Sequence, residues 1–121
     1  MNAQATMARL RELLAGQRFR LRTEEDLQEG IARNLESAGI PFEREFILSP
    51  GDRVDFLVGD IALEVKVAGS LRRVVAQLVR YAAHERVRGV LLVTTRACAV
   101  VPPVEINGKP VSALLLLRGF Q

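Results

Sequence analysis

Residues 53–67 read RVDFLVGDIALEVKV, two strand-like runs on either side of Gly59-Asp60, and each run carries a carboxylate inside it. A Gly-Asp pair between alternating apolar runs marks a tight two-residue hairpin turn. That turn sets Val58 opposite Ile61 and, counting back, Asp55 opposite Glu64. Side chains alternate across a strand. On the second run Ala62, Glu64 and Lys66 therefore share one face, and Ile61, Leu63, Val65 and Val67 the other. On the first run Asp55 goes with Arg53 and Leu57, opposite Val54, Phe56 and Val58. The reading places two carboxylates side by side on one sheet face, with Lys66 next to them.

The surrounding pattern extends this hairpin in both directions. Upstream, IPFEREFIL reads as a strand that turns at Ser49-Pro50-Gly51-Asp52, so three strands form a meander. Downstream, Gly69-Ser70 opens LRRVVAQLVRYAAHERV, a helix with Leu71, Val74, Val75, Leu78, Val79 and Ala82 on one broad apolar face. GVLLVTT is a continuous apolar run, as expected of a strand covered on both sides. VEINGKPVSALLLL reads as a hairpin about Asn107-Gly108, its second strand near 111–117.

Before the meander, Thr23 precedes a helix whose stripe is Leu27, Ile31, Leu35 and Ala38, ended by Gly39. Residues 5–15 form a shorter amphipathic helix through Met7, Leu10, Leu13 and Leu14. Between the two helices RFRLR alternates Arg18, Arg20 and Arg22 with Phe19 and Leu21. It reads as a short strand or an extended basic arm, and as a solvated connector or a nucleic-acid contact. The order is helix, three strands, helix, strand and terminal hairpin. It defines an α/β sandwich around a central mixed sheet flanked by helices. A chain of 121 residues, 49% hydrophobic and 26% charged, fits one domain with a real core. Its parts are 1–22 as N-terminal helix and arm, 23–95 as core and 96–121 as hairpin.

Composition narrows the chemistry. One cysteine, Cys98, leaves no internal disulfide framework, and one histidine, His84, leaves no soft-ligand cluster for zinc. The longest apolar runs, GVLLV and ALLLL, are far too short to span a bilayer, and no signal-type segment leads the chain. The expectation is a soluble protein of a reducing cytoplasmic compartment with no membrane partner. Seventeen basic against fourteen acidic residues give +3, which admits a polyanionic partner.

Like charges directly opposite on a ladder destabilise it, so Asp55 and Glu64 ask for compensation. A hard divalent cation such as Mg²⁺ supplies it, held by the two carboxylates with the Val65 carbonyl beside them. Lys66 would then reach an attacking water or the charge developing on a phosphate. The competing reading is an ordinary solvated E-x-K strand face. Only Lys66 and Lys109 among the seventeen cations are lysine, so a compact ammonium at position 66 departs from the chain's habit of using arginine.

At about 100° per residue Glu24 falls on the apolar stripe of its helix and points inward, whereas Glu25, Glu29 and Glu36 fall outside. On the later helix Ser70, Arg73, Gln77, Tyr81 and His84 form a polar stripe bordering the apolar face. Gln77, Tyr81 and Arg73 offer groups for orienting a nucleotide. The other reading is a solvated helix flank with Tyr81 as a packing residue, and His84 is assigned to that flank.

Asp55, then Glu64-Val65-Lys66, then the Q-x-x-x-Y element of Gln77 and Tyr81, in this order of elements, resemble the PD-(D/E)XK nuclease superfamily, with the last element similar to RecB-type members. The stretch TEEDLQ, with REF further on, is also similar to the nuclease domain of archaeal and actinobacterial mismatch endonucleases. The resemblance spans residues 23 to about 95, and Val54 stands where the superfamily's name has proline. It implies a restriction-endonuclease-like αβββαβ core and a deoxyribonuclease dependent on Mg²⁺ or Mn²⁺. Asp55 and Glu64 would hold metal, Lys66 would be the catalytic lysine, Glu24 the upstream helix acid, and Gln77 and Tyr81 substrate-orienting residues. Arg18, Arg20, Arg22 and Arg73 are further candidates for DNA contact. The compact chain leaves no room for a specificity domain, so structure-selective cleavage in repair or recombination, in a bacterial or phage-infected cell, is expected rather than sequence-specific cleavage. The alternatives are a dimeric resolvase of branched DNA, its homodimer paired through the ALLLL strand edge, and a non-cleaving DNA-binding protein of the same fold.

Overall fold

The computed structural model describes residues 2–97 and 104–116. Cys98, and Leu117 at the end of the expected last strand, lie outside the described residues. Helix α1 (Ala3–Ala15) is capped by Asn2 and buries Met7, Leu10 and Leu14. Helix α2 (Glu24–Ser37) starts at Thr23, whose Oγ1 accepts from the Asp26 N–H at 3.0 Å, and buries Leu27, Ile31, Ala32 and Leu35. Three acids in its first turn complement the positive end of the helix dipole.

Strands β1 (Glu43–Ser49), β2 (Asp52–Val58) and β3 (Ile61–Lys66) form the antiparallel meander. Gly59, at φ 62°, takes the left-handed position of the two-residue turn, and Val58 pairs with Ile61 as the turn requires. Helix α3 (Leu71–Ala82) crosses over to β4 (Gly89–Thr94), which runs parallel to β3. A short β5 (Val104–Ile106) pairs antiparallel with β6 (Lys109–Leu115), itself parallel to β4. The result is one six-stranded mixed sheet in the order β1-β2-β3-β4-β6-β5.

The sheet is covered on both faces. Helices α1 and α2 pack on a cluster that includes Phe56, Val58, Ile61, Leu63, Val65, Leu91 and Val93. Helix α3 packs through Val74, Leu78, Tyr81 and Ala82 on Leu57, Ala62, Val90, Leu92, Val111 and Ala113. Strand β4 feeds both layers and is buried throughout, as its unbroken apolar run requires. Among the described residues no helix is long and apolar enough to cross a membrane.

Two expectations are corrected, on α3 and at Val54. Strand β6 pairs with β4 from Val111 to Leu115 and with β5 only from Lys109 to Val111, so no described strand lies beside the outer edge of its apolar run from Ala113 on, where the Arg11 guanidinium donates to the Ala113 carbonyl at 2.8 Å. Its apolar residues are buried against both helix layers. On α3, Leu71, Val75 and Val79 are exposed at 43%, 37% and 43%. The apolar face the sequence spreads over six positions is narrower, because Tyr81 takes the place of Val79 in the packed stripe. Residues 17–22 are neither helix nor strand, so of the two forms open for RFRLR the extended arm is the one present.

The second correction concerns Val54, which packs in the α3 layer with Leu57 rather than opposite it with Phe56 and Val58. The cause is local. In the β1–β2 register Glu45 stands opposite Asp55, yet it has φ 51° and makes no ladder pair. A left-handed residue turns its peptide out of the ladder and breaks the alternation of side chains.

Candidate active site

The β2–β3 ladder runs only from the turn to Phe56 and Leu63. Beyond that pair the strands part, and side chains replace backbone bonds. The Val65 N–H donates to Asp55 Oδ2 at 2.8 Å, and the Asp55 N–H donates to Glu64 Oε1 at 3.1 Å. The register thus brings the two carboxylates together, as the turn predicts. A strand residue's N–H and C=O point the same way in the sheet plane. The Val65 carbonyl accordingly lies on the β2 side, beside Asp55.

Helix α3 closes the site from its own face. The fully buried Tyr81 donates its hydroxyl to the Arg53 carbonyl at 2.8 Å and stands 3.3 Å from Glu64 Oε2. Gln77 Nε2 donates to that hydroxyl at 2.7 Å from one turn earlier. Lys66 Nζ lies 3.7 Å from Glu64 Oε2, with its side chain 26% exposed, so it sits at the mouth of the site. From the opposite layer Glu24 turns inward and accepts the Val67 N–H on Oε1 at 3.2 Å. The first turn of α2 is thereby fastened to the end of β3.

Burial sets the electrostatics. Glu64 is 3% exposed. Burial first, and then the Asp55 charge, push its carboxyl up to about 8, against the opposing pull of the Asp55 N–H and Lys66. Burial also raises Asp55, with the Val65 N–H bond opposing. The phenol of Tyr81 is raised above its ordinary value by burial and by both carboxylates. Two acids whose ionisation is mutually costly, in a partly dry gap, are the arrangement in which one proton or one cation is most strongly held.

The candidate residues divide clearly. Asp55, Glu64, Val65, Lys66, Gln77 and Tyr81 come together, and Glu24 joins them through the Val67 N–H. Arg73 is exposed in the first turn of α3, where its N–H donates to the Ser70 cap. Arg22 is exposed next to the Thr23 cap, whereas Arg18 and Arg20 lie along the flank of α2, around Gly30 and Arg33. The described hollows are lined by none of Asp55, Glu64 and Lys66, and a wide one of about 1080 Å³ sits at the opposite end of the sheet.

Two neighbours escaped the sequence reading. Arg96, after β4, donates to the Gly69 carbonyl at 2.6 Å and so stands at the Lys66 end of the sheet, where Lys66 pairs with Thr94. His84 is no free flank residue. With Arg80 it grips Asp52, each at 3.0 Å, and the His84 bond first and the Arg80 bond second hold the Asp52 carboxyl below its usual range. The position of Arg80, four residues before His84 on the same helix, was the available signal, but the acid is distant in sequence.

Among the described residues no group of three or more His, Cys, Asp and Glu side chains is arranged to hold a metal ion. The donors in the gap are nonetheless hard oxygens of the kind Mg²⁺ accepts: two carboxylates and a carbonyl, with waters completing the shell. Compared with known proteins, the chain matches no family model, no curated protein and no solved structure.

Proposed function

We propose that the chain is a metal-dependent deoxyribonuclease of PD-(D/E)XK type, with the restriction-endonuclease-like core the resemblance implies. The observation that carries this reading is the pair Asp55 and Glu64, buried where the β2–β3 ladder opens, with Lys66 at 3.7 Å. A buried pair of acids raises the energy of the empty site unless a proton or cation occupies it, and the backbone bonds the pair accepts could be kept by neutral amides that carry no such cost.

Asp55, Glu64 and the Val65 carbonyl fit Mg²⁺ or Mn²⁺, which when bound supplies positive charge that acidifies an attacking water and offsets charge on the phosphate. Lys66 orients that water or donates to the phosphoryl oxygens, and its position at the mouth suits a substrate arriving from solvent. Tyr81 and Gln77 act behind Glu64, fixing its carboxylate through the 3.3 Å and 2.7 Å contacts. Glu24 keeps the end of β3 in place. Arg22, Arg73 and Arg96 stand near the ends of the elements that build the site and suit a polyanion laid across it.

Self-satisfaction of the site favours a second reading, a non-cleaving DNA-binding protein of the same fold. Among the described residues no buried side-chain polar atom lacks a partner. For the dimeric resolvase, the outer edge of β6 from Ala113 on has no described strand beside it, with only the Arg11 guanidinium donating to the Ala113 carbonyl. The test is cleavage of labelled single-stranded, duplex, flap and four-way-junction DNA with Mg²⁺, Mn²⁺ or EDTA, beside Glu64→Ala. Cleavage that requires both metal and Glu64 supports the nuclease. Binding without cleavage on every substrate supports the second reading.

A further inference from the structure

A glycine in the middle of an exposed helix costs about 1 kcal/mol relative to alanine, so Gly30 in α2 needs a reason. The reason is Phe19. A Cβ at position 30 would meet the Phe19 ring at 2.8 Å, and Phe19 packs against the α1/α2 core beside the buried Leu21. These two apolar residues lay the arm along α2 while Arg18 and Arg20 remain exposed.

The docked arm meets a third cation. Arg18, Arg20 and Arg33 line one hollow of about 270 Å³ together with Asn34 and Ser37. Among the described residues none of the three arginines takes part in an ion pair or a side-chain hydrogen bond, and no acid lines the hollow. Glu29, one turn before Arg33 and bridged to Arg44, feels the Arg33 charge from outside the hollow; within it three like charges repel one another, and a polyanion relieves the repulsion.

We infer that Arg18, Arg20 and Arg33 form a second anion-binding locus that grips the backbone of a DNA strand away from the reacting phosphate. The assignment of DNA as ligand rests on the nuclease reading. Gly30 and Arg33 lie six to nine residues beyond Glu24 on one helix, about 9–14 Å along its axis. At about 3.4 Å per phosphate of one strand, the locus sits roughly three to four nucleotides from Glu24, the near edge of the site.

The test uses the full chain in EDTA, so that no cleavage intervenes. Labelled single-stranded and duplex DNA is titrated by fluorescence anisotropy across a salt series. The wild type is compared with the triple variant R18Q/R20Q/R33Q and with R88Q, an exposed arginine by the hollow at the other end of the sheet. The slope of log affinity against log salt should become shallower by about 2–3 in the triple variant, about 0.7–0.9 per lost phosphate contact, and stay unchanged in R88Q. A triple variant with the wild-type slope, or a wild type that binds no DNA, overturns the locus. The two readings fail separately: lost slope in a protein that never cleaves leaves the locus standing without the nuclease, and metal-dependent cleavage with an unchanged slope does the reverse. Thermal melts confirm that the triple variant, altered only at exposed side chains, keeps the fold.

Discussion

Replacing Glu64 by glutamine should stabilise the metal-free protein, and the gain should grow with pH. Glu64 ionises at about 8 in the folded chain against an ordinary 4.5. Between those values the folded protein keeps a proton that the unfolded chain has released, so stability falls as pH rises through the window and levels off above it. At about 1.4 kcal/mol per unit the ceiling is about 5 kcal/mol, and sharing of the charge with Asp55 and Lys66 brings the expectation to about 2–4 kcal/mol. With an unfolding entropy of about 2.1 cal/mol/K per residue, that corresponds to about 8–16 °C in Tm for a chain of 121 residues. Glutamine is neutral in both states, and its amide oxygen keeps the Asp55 N–H bond. Thermal melts of both proteins in EDTA from pH 5 to 9 make the comparison, and their difference cancels the titrating groups that do not interact with Glu64, leaving the Glu64–Asp55 pair. Curves that stay parallel would refute the account of Glu64 as a carboxyl strained by burial beside Asp55.

Lys66→Arg keeps the charge but replaces a compact ammonium by a planar group, so turnover should fall about 100-fold or more while DNA affinity changes little. Comparing single-turnover rates with binding isotherms decides it, and equal activity removes lysine from the mechanism. Tyr81→Phe leaves the Arg53 carbonyl without its 2.8 Å donor and should cost about 1–3 kcal/mol by denaturant titration. The same variant should lower cleavage, because Glu64 loses its neighbour; full activity would make Tyr81 a packing residue only. Asp52→Asn removes a carboxylate held below its usual range by His84 and Arg80, so its contribution exists above the unfolded pKa and disappears as pH falls through the folded one. Being partly exposed, the group should account for about 0.5 kcal/mol at pH 6 and nothing near pH 2, as denaturant midpoints at the two pH values will reveal.

The hairpin register was legible because a two-residue turn leaves no freedom: once Gly59-Asp60 is read as the turn, Asp55 must approach Glu64. The inward aim of Glu24 was equally plain, since helical angle alone fixes it. Val54 was not legible, because the residue that breaks the alternation is Glu45 on the neighbouring strand, and nothing in its type announces a left-handed backbone. Strand order across a sheet is likewise no local property, so the short β5 beside the start of β6 could not place the apolar run relative to the other strands. The Asp52 clamp joins residues 32 apart, His84 and Asp52, through the packing of α3 on the sheet. The arm needed the partner as well as the motif: RFRLR has a defined place only because Gly30 leaves room for one ring.

Where the β2–β3 ladder opens, Asp55 and Glu64 accept backbone N–H groups and so serve as masonry as well as chemistry. A descendant that gave up cleavage would still have two amides to satisfy at that seam. Selection for a folded sheet alone would therefore retain Asp or Asn at position 55 and Glu or Gln at position 64. Lys66 supports no backbone group, and its side chain would drift first. In a collection of related chains, a lysine at position 66 kept together with both charged acids would thus accompany the proposed cleavage, whereas Asn or Gln in their places would accompany the fold alone.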